Sequence, residues 1–199
     1  MNIKLKALLF SSYVSVAMVA FAVPARAAAA HECVAAKPTA ASYTWDFKGE
    51  ANTIFQAVQA DAEQAVNHAD MLQSFAQDPG FSWQTHQNEL LALKAEINDI
   101  GDKLCRLETI RRAVTPWQQA EIDRIATAAR LMADNTQDAI RFGNDHQADF
   151  WLPAYQKYTN NLYDQARSLA NSVGNAVAYA RVSRESRDLE RKLGMRKSS

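Results

Sequence analysis

Four tryptophans, Trp45, Trp83, Trp117 and Trp151, stand 38, 34 and 34 residues apart, and each lies near the start of a long run of apolar residues spaced by threes and fours. That spacing keeps one stripe of side chains on a single helix face, so each interval reads as one amphipathic helix. The second run is the cleanest: Trp83, His86, Leu90, Leu93, Ile97, Ile100, Leu104 and Leu107. Gly101 weakens it by about 1 kcal/mol relative to Ala without stopping it. The run before it carries Ala51, Ile54, Val58, Ala62, Ala65, Ala69, Leu72 and Ala76, widened by Phe47, Phe55, Val66 and Phe75. Asp78-Pro79-Gly80 then marks a turn, because Pro restricts the residue before it and Gly permits positive φ.

The third run opens on Thr115-Pro116-Trp117-Gln118. Thr115 can cap the first turn, Pro116 loses no intrahelical bond there, and Gln118 completes a capping box. Its seam is Ile122, Ile125, Ala129, Met132, Thr136 and Ala139, with Ile140 alongside. Gly143-Asn144-Asp145 can end it, or the seam can continue through His146 towards Phe150. Pro153 opens the fourth run, with Tyr155, Tyr158, Leu162, Leu169, Val173, Ala176 and Val177 facing inward. Helices of about 30 residues span about 45 Å, and short connections force sequential neighbours to run antiparallel. A tetratricopeptide-type repeat has a similar period but needs two short helices in each. The pattern therefore predicts an all-α, antiparallel up-down four-helix bundle over residues 44–180, with Trp45 and Trp117 at one pole and Trp83 and Trp151 at the other. Residues 181–199 are expected to form a basic C-terminal helical extension.

Before the first run, residues 1–27 have the three parts of a secretory signal in order. Lys4 and Lys6 form a basic start, Ala7 to Val23 is apolar, and Ala25-Arg26-Ala27 fits the small-x-small rule for cleavage. An uncleaved anchor is the competing reading, at the short limit of a membrane span. Cleavage predicts a periplasmic or secreted protein that no longer spans a membrane, with residues 28–43 as an irregular N-terminal segment. The formal charge, zero for the whole chain, becomes −3 after residue 27, and residues 181–199 carry seven Arg or Lys against three Asp or Glu. An acidic body with a basic tail and export together argue against nucleic-acid binding.

The two cysteines, Cys33 and Cys105, are expected to pair in an exported chain, closing a loop of 73 residues. No C-x-x-C or C-x-x-C-H pattern supports a cysteine metal site or covalent haem. The sequence also lacks G-x-S-x-G, a glycine-rich phosphate loop, H-E-x-x-H and the Glu-x-x-His pairs of di-iron bundles. No catalytic residue is therefore assigned and no cofactor expected. His86 on a seam, and His146 if the third helix reaches it, are the candidates for an alternative role as a small metal- or haem-binding bundle, with Met71 or Met132 as further ligands. His68 borders the first seam, His86-x-x-Glu89 is a reversed metal pair with Glu89 off the seam, and processing after Ala28 exposes Ala29-Ala30-His31, a copper-type terminus. The favoured expectation is a non-catalytic structural or interaction protein that meets a protein partner through a helix face or the basic tail.

Overall fold

In the computed structural model, residues 45–194 are described, and four α-helices make up most of them: α1 (Phe47–Phe75), α2 (Trp83–Ile110), α3 (Pro116–Asp145) and α4 (Pro153–Lys192). A 3₁₀ turn, Arg111–Ala113, joins α2 to α3. Each helix packs on two others, in the cycle α1–α2–α3–α4–α1, which is the square of an antiparallel bundle. The expected seams form its core. Ala51, Val58, Ala62, Ala65, Ala69 and Leu72 from α1 meet Leu90, Leu93, Ile97, Ile100 and Leu107 from α2, and Ile122, Ile125, Met132, Leu162, Leu169 and Val173 complete it.

Helix ends follow local chemistry. Asp46 caps α1 by accepting from the Gly49 amide at 3.0 Å, and Ser82 caps α2 through the Thr85 amide at 3.3 Å. Thr115 and Gln118 form the expected box at α3, with the Thr115 amide donating to Gln118 Oε1 at 2.9 Å. The turn at Asp78-Pro79-Gly80 is present, but Gly80 does not use positive φ; among the described residues only Gly194 does, at 66°. Asp78 closes this turn instead, its Oδ1 accepting from the Gly80 amide at 2.8 Å. The α2–α3 connection is held by Arg111, which grips both oxygens of Asp123 at 2.6 and 2.7 Å. That bidentate contact holds the Asp123 carboxyl below its usual range.

Of the two places at which the third helix could end, Gly143-Asn144-Asp145 is the one observed. The third seam does not run on to Phe150: α3 ends at Asp145, with His146 as an exposed C-cap residue. Phe150 reaches the core from the following turn. Along the extension, Asp188 pairs with Arg191 at 3.1 Å. The proposed signal (1–27), the segment 28–43, Cys33 and His31 lie outside the described residues. Among the described residues no helix is long and apolar enough to cross a membrane.

Candidate interaction site

The two poles of the bundle differ in chemistry. At the pole made by the end of α1 and the start of α2, His86 is buried, with 1% exposure, inside an aromatic box. Its ring stacks on Phe150 at 4.6 Å and meets Tyr155 and Phe75 edge-on at 5.3 and 5.9 Å. Phe75, Phe150 and Tyr155 come from α1, the α3–α4 turn and α4, so three segments converge on one imidazole. Among the described residues, neither His86 Nδ1 nor the Tyr155 hydroxyl has a hydrogen-bond partner. Burial pushes the His86 pKa down to about 4 and raises that of Tyr155, because each charged form has lost its solvation.

The other histidines go elsewhere. His146 is exposed, stacks on Phe142 at 4.4 Å and is joined to His86 only through Phe142 and Tyr155 in succession. His68 Nδ1 lies 2.8 Å from Glu89 Oε2, across the α1–α2 interface. Glu89 thus turns to His68 and not to the His86 one turn before it. Met132 is buried, and among the described residues no group of three His, Cys, Asp or Glu side chains could hold a metal ion. Trp151, in the α3–α4 turn at this pole, is 53% exposed and donates to the Ala148 carbonyl at 3.2 Å.

The opposite pole is polar and open. Glu50 on α1 accepts from Trp45 Nε1 and from Arg106 of α2, each at 2.6 Å, lacing the chain's entry to the end of α2. Beneath it, Gln118 is 1% exposed and donates from Nε2 to Asn52 Oδ1 and to the Lys48 carbonyl, each at 2.9 Å. A capping residue of α3 is therefore also a cross-brace to α1. Three residues on, Glu121 is 4% exposed, accepting from Ser172 Oγ of α4 at 2.8 Å and pairing with Arg124 at 3.0 Å. Trp117 packs between Phe55, 6.2 Å away, and Tyr179 of α4, 4.9 Å away. Sequence patterning missed Gln118 and Glu121 as buried positions because they are polar. Their phase was the available signal: 118, 121 and 122, and 125 share one face of α3.

Among the described residues, α4 alone runs on past this pole. It has 40 residues, whereas the other three helices have 28 to 30, and Ala180 is its last buried apolar residue. Residues 181–192 extend about 18 Å past it at 1.5 Å per residue. Tyr179, Val182, Leu189 and Leu193 are 54, 56, 57 and 71% exposed. With Ser186 they step by three, four, three and four, the period of a coiled-coil seam. Cys105 sits on α2 five residues before this pole; its expected partner Cys33 lies outside the described residues. No protein-family model, curated protein or solved structure matches this chain.

Proposed function

We propose that this is an exported, non-catalytic interaction protein that docks a second copy of itself along the exposed seam of the α4 extension. The carrying observation is that seam: a helix whose last apolar side chains are exposed and meet no core among the described residues. Apolar residues at coiled-coil spacing on an unpartnered helix are stabilised by a matching helix. Flanking charges select the orientation. In a parallel pair Glu185 faces Glu190 of the other copy, which is repulsive. In an antiparallel pair Val182 layers against Leu193, Ser186 against Leu189, and Glu185 meets Lys192 twice by symmetry.

Export rests on the sequence of residues 1–27, with its basic start, apolar run and small-x-small site, and in an oxidising compartment Cys33 and Cys105 pair to strap the N-terminal segment to α2. N-terminal sequencing of the protein recovered from an export-competent host should begin after Ala27. Sedimentation velocity of the processed chain should show a concentration-dependent dimer that Leu189→Asp abolishes without loss of helicity. Glu185→Lys should weaken it, and Glu185→Lys with Lys192→Glu should restore it. A wild-type chain that stays monomeric at every accessible concentration sinks the self-docking reading.

A further inference from the structure

We infer that the groove between α3 and α4 at the root of the extension is a binding site for an organic cation, an alkylammonium or guanidinium group. The groove encloses about 310 Å³ and is lined by Trp117, Glu121, Arg124, Ser172 and Tyr179 among others. Among the lining residues is a carboxylate that a bundle core has no packing reason to hold. Glu121 is 4% exposed, and a buried charge is costly unless paired and hydrogen-bonded.

Its present partners meet that need incompletely. Ser172 donates one hydrogen bond, and among the described residues its ion pair is with Arg124, whose side chain is 70% exposed. An ion pair with a solvated arginine contributes little, so that arginine is easily displaced. An ionised carboxylate offers about four lone-pair sites, of which these two contacts use two. Trp117 and Tyr179 line the same groove, their rings at 76° to each other. Electron-rich ring faces attract desolvated cations, Trp most strongly. A buried carboxylate, two aromatic rings lining the same groove and a labile arginine on that carboxylate together specify a cationic ligand.

Two sources carry this chemistry: a small organic cation, and a basic side chain from residues 181–199 of a second copy. The second source rests on the self-docking reading; the site itself does not. The test uses the full processed chain with Trp45→Phe, Trp83→Phe and Trp151→Phe, leaving Trp117 as the sole fluorophore. Titration with n-butylguanidinium chloride should change its emission saturably, while sodium chloride at equal ionic strength should not. Glu121→Gln and, with the fold undisturbed at an exposed position, Tyr179→Leu should each weaken binding by about tenfold. No saturable change, the same change with sodium chloride, or undiminished binding in both variants overturns the proposal. Unchanged probe affinity in the Leu189→Asp variant keeps the site standing if self-docking fails. With probe binding established, Trp117 emission that varies with protein concentration, except in Leu189→Asp, identifies the second copy's tail as occupant; concentration-independent emission identifies the small cation.

Discussion

Gly143 lies against Phe150: a Cβ added to the glycine would come within 2.8 Å of the phenylalanine Cζ and 3.1 Å of its Cε1. Phe150 in turn stacks on His86, so the glycine makes room for the ring that roofs the aromatic box. Gly143→Ala should therefore destabilise the protein by about 1–3 kcal/mol despite alanine's better helix propensity. Gly101, also in a helix, has nothing within 4 Å of its added Cβ. Gly101→Ala should stabilise by about 1 kcal/mol, and urea denaturation of the two variants should show opposite signs.

Acid should weaken the fold through His86. Its pKa is about 4 when folded against a usual 6.5, so between these values the unfolded chain binds a proton that the folded chain excludes. Stability from this group is complete above pH 6.5 and drains as pH falls to about 4, by about 3 kcal/mol in all. His86→Phe keeps a ring in the stack and should flatten the stability–pH curve over that window. An unchanged slope would assign the acid sensitivity to other groups.

Gln118 and Asn52 should behave as one unit. Gln118→Leu leaves Asn52 Oδ1 and the Lys48 carbonyl without their donor and removes the acceptor of the Thr115 amide. Loss of about 2–3 kcal/mol is expected from stranded buried polar groups. Adding Asn52→Leu should cost less than the two separate changes together, giving a coupling energy of about 1 kcal/mol in a double-mutant cycle. Additive losses would mean that the bond across α1 and α3 does not brace the pole.

Reduction tests the proposed Cys33–Cys105 strap. A loop of 73 residues corresponds to about 4 kcal/mol on the loop-entropy account. Dithiothreitol and Cys33→Ser should lower the denaturation midpoint alike, and reductant should do nothing further to the variant. Equal mobility of oxidised and reduced wild type on a denaturing gel, with two titratable thiols, would exclude the bridge.

The four seams, the Thr115–Gln118 box and the turn at Asp78 were legible because each depends on residues within a few positions of one another. Helical period is a local signal, and Leu90, Leu93, Ile97 and Ile100 all face the core as it requires. The surroundings of His86 were not legible, since Phe75, Phe150 and Tyr155 are brought to it from three segments, Phe150 from the turn after α3. His146 was read as a possible core residue because the apolar spacing continues past it; the helix instead stops at Asp145. Glu121 was invisible for the converse reason. Its position is that of a core residue and its chemistry that of a surface one, a conflict that local patterning resolves in favour of chemistry and the fold resolves in favour of position.

The unbroken course of α4 has a mechanical consequence. Backbone hydrogen bonding continues from Pro153 to Lys192, so residues 181–192 share an axis with the core beneath them instead of hanging from a hinge. A twist imposed at Leu189 is felt at Leu169. Bodies joined through such struts are held at a set angle and distance, like girders bolted end to end, and the length of one helix fixes the spacing of whatever is built from them.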